Sequence, residues 1–185
     1  GRGMMQLLDA AKSFLCGKIK EDDTLVDFTM GNGHDTAYLC SLVPKGKVFA
    51  FDIQKEALQN TEKLLSERGY DNAELIRDSH ANIKKYVSHF KCGMFNLGYR
   101  PGGDKSVTTL TESTLRAVTD GIELMEKGGV LVISVYPGHA EGEKEGRELY
   151  SLLSSYDKIY YSVIQYKMIN SPTSPFIFAV EKYDK

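Results

Sequence analysis

Three aspartates in this chain draw attention by position: Asp27, Asp52 and Asp78 each close a short apolar run. Thr29-Met-Gly31-Asn32-Gly33 follows the first of these, with Asp35 and Thr36 just behind it. A glycine turn at that place lets a ligand approach the backbone closely, because a Cβ would block both the turn and the contact. An acid at the second tip can accept both hydroxyls of a ribose, and one at the third falls beside an adenine. Gln54, Ser79 and His80 come directly after those acids, within reach of the same ligand. A dinucleotide fingerprint would want glycine at Thr36. Asp27 and Asp35 flank the turn and would repel a pyrophosphate, which prefers helix N-terminal amides with no acid nearby. A ligand with a cationic end suits them better, such as the amino group of S-adenosylmethionine.

A second cluster follows the fourth apolar run, in Asn96-Leu-Gly-Tyr99-Arg100-Pro-Gly-Gly-Asp-Lys105. Asn96-Leu-Gly-Tyr99 is similar to the Asn/Asp-Pro-Pro-Tyr motif of enzymes that methylate exocyclic amines. That similarity implies an Asn96 side chain that accepts hydrogen bonds from an amine and a Tyr99 ring that stacks on a base. Such chemistry is chiefly the positioning of a neutral nitrogen in line with a methyl carbon. Arg100 and Lys105 are either solvated charges or contacts to a substrate phosphate. A third cluster, Tyr136-Pro-Gly-His139, leaves the fifth run on the same edge. His139 has the protonation range of a general base, or of a group that reads a substrate base. It equally suits a helix start, where it would satisfy backbone groups. The scattered histidines show no metal-ligand spacing, and no metal is expected.

The elements that must carry these residues follow from periodicity. Short apolar runs at Thr24–Thr29, Lys47–Asp52, Ala73–Asp78, Gly93–Leu97 and Gly129–Val135 read as strands. Helical stretches fill the gaps at His34–Leu42, Gln54–Arg68, Ala81–Phe90 and Thr108–Glu126, with Glu141–Ser155 following the fifth strand. Met4–Lys18 spaces its apolar residues as an amphipathic leading helix. Strand–helix alternation of this kind predicts an α/β fold: a Rossmann-like, mostly parallel seven-stranded sheet with helices on both faces. The last two strands, Lys158–Met168 and Pro175–Tyr183, are joined too briefly for a parallel crossover. They predict an antiparallel pair, with one antiparallel strand at the end of the sheet.

With 185 residues, residues 1–185 are expected to form one domain, residues 1–20 being its leading helical segment. Cys16, Cys40 and Cys92 are widely spaced and form neither a disulfide framework nor a zinc site, which suits a reducing compartment. The most apolar stretch, Val130–Val135, is too short to span a bilayer, and no apolar signal core follows Gly1-Arg2-Gly3. A cytoplasmic protein is expected. Net charge is −2, so a nucleic-acid partner would need a local basic patch. Lys12, Lys18, Lys20, Lys84, Lys85, Arg100, Lys105 and Lys167 are the candidates for it.

The glycine turn itself resembles the first motif of class I methyltransferases, with Thr29 replacing the usual first glycine. Nearly the whole chain resembles a small bacterial family labelled rRNA methylases. The resemblance is carried by Thr29-Met-Gly-Asn-Gly-His-Asp-Thr36, Phe51-Asp-Ile-Gln54, Phe95-Asn-Leu-Gly-Tyr99 and Pro101-Gly-Gly-Asp-Lys105. It continues in Tyr136-Pro-Gly-His-Ala-Glu-Gly142 and Pro175–Lys182. Members resemble the enzyme that methylates the aminomethyl group of 5-aminomethyl-2-thiouridine at the tRNA wobble position. The resemblance implies an S-adenosylmethionine-dependent RNA N-methyltransferase acting on a tRNA anticodon stem-loop. Asn96, Tyr99 and His139 would then be catalytic, and Tyr99, Arg100, Lys105, Tyr136 and His139 would contact substrate. Arg100 departs from the apolar residue expected there. Methylation of rRNA, a small molecule or a protein stays open as an alternative, as does a NAD-linked or non-enzymatic nucleotide module. The Tyr160-Tyr161 and Phe176–Phe178 regions offer either a homodimer edge or core.

Overall fold

The computed structural model describes residues 6–97, 111–138 and 140–184. Helices α1 (Leu7–Leu15), α2 (His34–Leu42), α3 (Lys55–Arg68), α4 (Thr111–Leu124) and α5 (Ala140–Ser154) alternate with strands. The strands are β1 (Thr24–Asp27), β2 (Lys47–Asp52), β3 (Ala73–Arg77), β4 (Phe90–Leu97), β5 (Met125–Val135), β6 (Tyr161–Tyr166) and β7 (Phe176–Lys182). They form one seven-stranded sheet in the order β3-β2-β1-β4-β5-β7-β6. β1 pairs in parallel with both β2 and β4, so the order reverses between β1 and β4. A ligand crevice opens beyond the carboxyl ends of the strands at such a reversal.

Side chains alternate along the strands and divide the core in two. Val26, Phe28, Phe51, Phe95, Leu131 and Ile133 face α4, α5 and the turn at residues 80–85. Leu25, Val48, Cys92, Met94, Val130 and Val132 face α1, α2 and α3. Both faces are covered, which is why the strands read as near-continuous apolar runs. Phe28 fills the first core beside the crevice. Its ring stacks on Phe95 with centroids 4.9 Å apart and meets the edge of Phe90 at 5.9 Å. A Cβ on Gly121 would come within 2.9 Å of that ring, so α4 can lie flat against it only with glycine there.

Two expectations need correction. The stretch read as a helix over Ala81–Phe90 is a short 3-10 turn, His80–Lys85, and Phe90 already begins β4. Ile83, Val87 and Phe90 are all buried, so their spacing serves a turn collapsing into the core, not a continuing helix. The antiparallel strand does not lie at the sheet's end. β7 pairs antiparallel with β5 on one side and β6 on the other, which leaves β6 at the edge. Composition explains the exchange. Phe176-Ile-Phe-Ala-Val180 is buried throughout and suits an interior place, whereas no residue of β6 is fully buried. No helix among the described residues is long and apolar enough to cross a membrane.

Candidate active site

The tips of β1, β2 and β4 carry a connected polar network. Asp27 ends β1 fully buried; it accepts the Thr36 hydroxyl at 2.7 Å and the Thr29 N–H at 3.1 Å. Burial, reinforced by the charge of Asp35, pushes its carboxyl well above the ordinary aspartate range. Thr36 is itself buried and spends its hydroxyl on Asp27, so it supports the turn from beneath. Thr29 and Asp35 both reach Asn96 on β4. The Asn96 N–H donates to the Thr29 hydroxyl at 2.8 Å, and its side-chain amide donates to Asp35 at 2.6 Å.

Asp52 sits at the neighbouring tip, where Gly31 N–H and Gln54 N–H each donate to one of its oxygens at 3.1 and 2.9 Å. Those two amides fix the plane of the carboxylate. A carboxylate held in this plane presents two acceptor oxygens side by side, the geometry a vicinal diol requires. The two glycines of the turn do different work. Gly31 is left-handed, at φ +57°, and its missing Cβ would point into open space, which leaves room for a ligand. Gly33 is also left-handed, at φ +91°, but a Cβ there would press within 2.8 Å of Thr61 on α3. Gly33 thus serves helix packing, and its N–H closes the turn on Met30 O at 2.9 Å. Asn32 is exposed beside it, with Asn60 donating to its side-chain oxygen at 3.4 Å.

At the third tip, Asp78 accepts from Tyr86 Oη at 2.6 Å, Asn82 Nδ2 at 2.9 Å and Ser79 N at 2.7 Å. The Tyr86 hydroxyl, then Asn82, hold its carboxyl below the usual range. Tyr86 escaped the sequence reading, although its ring edge also meets Phe51 at 5.8 Å and so borders the crevice. Its phase within a supposed helix gave no sign of this. Ser79 caps the 3-10 turn through its side chain and lies 3.3 Å from the Ser113 hydroxyl on α4. His80 is buried: Nδ1 lies 3.0 Å from Phe28 O, and the ring packs 4.7 Å from Phe95. A carbonyl only accepts, so Nδ1 carries the proton. The imidazole therefore braces the core behind the site.

Tyr136 is half-buried just beyond β5. Tyr99, Arg100, Lys105 and His139 lie outside the described residues. The candidate basic residues that are described do not form one patch. Lys12 sits 4.4 Å over the Tyr38 ring and Lys18 pairs with Glu181, on the α1 face of the sheet. Lys84 belongs to the opposite face, where it pairs with Asp120 and Glu123 on α4. Lys167 lies 4.8 Å over Phe176.

A switch-point crevice lined by strand-tip acids, in this strand order, defines the Rossmann-like methyltransferase fold, and solved structures agree. A protein from Clostridium thermocellum called a "putative rRNA-methylase" superposes with TM-score 0.93 at 37% identity, covering 98% of this chain and 100% of its own. A "putative methyltransferase" from Streptococcus mutans, solved with SAH, superposes with TM-score 0.89 at 35% identity over 97% of this chain and 99% of its own. The family model described as "Putative rRNA methylase" matches residues 48–181, and the chain belongs to that family of methyltransferases. The chloroplastic tRNA (mnm(5)s(2)U34)-methyltransferase of Arabidopsis thaliana is 31% identical over 172 residues. That match takes in 86% of this chain, which spans 63% of the Arabidopsis protein's length.

Proposed function

We propose that this protein uses S-adenosylmethionine to methylate an amine nitrogen of RNA, specifically the aminomethyl group of 5-aminomethyl-2-thiouridine at the tRNA wobble position. Asn96 carries the reading. It stands at the switch point on β4, its amide nitrogen committed to Asp35, one strand away from a tip carrying Asp27 and two from Asp52. The family and the Arabidopsis relative support RNA as the substrate class and the wobble nucleoside as the target.

The residues present fit the cofactor. Asp52 would hold its ribose, Asp78 and Ser79 its adenine end, and the Gly31–Gly33 turn its amino-acid end. When bound, the cofactor supplies an electrophilic methyl group on a sulfonium. A primary alkyl amine is mostly protonated at neutral pH, so the site must take up a proton before the lone pair can attack. Asn96 accepts the remaining N–H and aims the nitrogen, Tyr99 stacks on the base, and Arg100, Lys105 and Tyr136 contact the substrate. The proton leaves to His139 or a nearby acid. The N–C bond forms as the S–C bond breaks, so the positive charge passes to the nitrogen: a neutral thioether is left, and the secondary ammonium then sheds a second proton to solvent to give the secondary amine.

The experiment is methyl transfer to tRNA from cells lacking this protein, followed by mass analysis of the nucleosides. A gain of one methyl on 5-aminomethyl-2-thiouridine is expected. The gain should vanish with Asp52→Ala, whose affinity for the cofactor should fall at least about tenfold by calorimetry, one lost charge-assisted hydrogen bond. Transfer only to rRNA, or to no RNA, would overturn the assignment. The wide spacing of Cys16, Cys40 and Cys92 in the sequence is the ground for proposing a reducing, cytoplasmic setting. A homodimer would form along β6, an edge with no charged residue from Tyr161 to Tyr166 and with Ile164 exposed. Sedimentation velocity should then give twice the chain mass, and a monomer at tens of micromolar would reject the pairing.

A further inference from the structure

We propose that Asp35 and Thr29 are positioning residues that lock the Asn96 amide so that its oxygen faces the acceptor amine. The inference rests on the reading that Asn96 receives that amine. It moves Asp35 and Thr29 from cofactor contact to control of the catalytic side chain.

An asparagine amide has a donating end and an accepting end of nearly equal shape, and a half-turn about its last bond exchanges them. An amine offering N–H to the site needs the oxygen. With the NH2 group turned outward, two donors would meet and the lone pair would point away. An ionised carboxylate accepts only, so Asp35 selects the state with the amide nitrogen toward itself, at 2.6 Å. Asp35 lies in the first turn of α2, where the helix N-terminus favours an anion.

Thr29 controls the backbone of the same residue. The β1–β4 ladder ends at Asp27 opposite Met94, and just past it the Phe28 N–H donates to Met94 O at 2.9 Å. The Phe28 carbonyl, next in line, lies 3.0 Å from His80 Nδ1, and the Asn96 N–H turns to a side chain instead. The Thr29 hydroxyl accepts that N–H at 2.8 Å and so extends the ladder by one bond, made from a side chain. Glycine, the usual occupant of this motif position, has no such atom. One residue fixes where Asn96 stands, and the other fixes which way its amide faces.

The test compares Asp35→Asn, Thr29→Val and Thr29→Ser in the full chain. Asp35→Asn substitutes a group that can donate or accept and so no longer chooses the amide's orientation. For Asp35→Asn and Thr29→Val, kcat on tRNA should fall about tenfold to a hundredfold, the scale of a misaimed reacting group. Cofactor affinity by calorimetry should stay within about twofold, less than half a kcal/mol. Thr29→Ser keeps the hydroxyl and should restore kcat to within about threefold of the parent, under half of one tenfold step. A second readout does not depend on the RNA substrate. The side-chain NH2 resonances of Asn96, assigned by their loss in Asn96→Ala, should be slow to exchange in the parent and fast in Asp35→Asn. If the resonances respond but no RNA is methylated, the substrate reading fails and the lock stands. Unchanged exchange, or a loss of cofactor affinity matching the loss of kcat, would overturn the lock and return Asp35 to the cofactor.

Discussion

Two buried acids, Asp27 at the crevice and Glu145 in the seam between α4 and α5, are handled in opposite ways. Both carboxyls are fully buried, and burial raises both above their ordinary range. Asp27 is fully engaged: each oxygen accepts a hydrogen bond, and through Thr29 the network continues to Asn96. Glu145 accepts only from the Thr114 hydroxyl, at 2.8 Å, and among the described residues its other oxygen has no partner. Its pKa is pushed up to about 7 by burial. A buried acid whose bonds are complete builds structure, whereas one left half-bonded costs stability. The crevice invests in order, and the seam tolerates a defect.

The contrast breaks most visibly at Asp27. Asp27→Ala should lower stability by about 2–3 kcal/mol, because a half-buried N–H and a buried hydroxyl lose their partner together. Denaturant unfolding with an unchanged m-value would measure this. Asp27→Asn keeps an acceptor for Thr29 and a donor for Thr36, and should cost under about 1 kcal/mol. Equal losses from the two variants would mean that side-chain volume matters and the bonds do not.

A smaller effect, of opposite sign, belongs to Glu145. In the unfolded chain its carboxyl ionises near the ordinary 4.5, while the folded protein holds the proton to about 7. Across that window the unfolded state binds fewer protons, so this group's contribution to stability falls as pH rises and levels off above it. Glu145→Gln removes the slope and should be about 1–2 kcal/mol more stable than the parent at pH 8, with little difference at pH 4. Thermal midpoints at the two pH values would show it. A variant less stable than the parent at pH 8 would mean that the ionised carboxylate has a partner worth keeping.

Much of this could be read in the residues beforehand, and the parts that could not share a cause. The β2 boundaries, Lys47–Asp52, and those of α2, His34–Leu42, match the periodic reading because an apolar run and a helical stripe are local signals. The acids at the strand tips were legible for the same reason. The Asn96 N–H bond to Thr29 was not, since it spans 67 residues and leaves no pattern along the chain. His80 looked like a cofactor contact because it follows Asp78, but a Phe28 carbonyl 52 residues away draws its ring inward. Glu145 sits in a helix that reads as polar, and only the approach of Thr114 from α4 shows that it is buried. β6 and β7 were recognised as a pair, but their order in the sheet depends on which one β5 accepts.

That order has a consequence for how the molecule assembles. β7 fills the gap between β5 and β6, so until Phe176–Lys182 arrives both of those strands present open edges to the surroundings. α1, near the other end of the chain, packs on β5 and β7, and Lys18 reaches Glu181 across 163 residues. Closure of the sheet must therefore await contacts of the longest range, the slowest kind to form. A nascent chain stalled short of Phe176 would carry two sticky borders, and it is then, rather than in the finished protein, that aggregation threatens most.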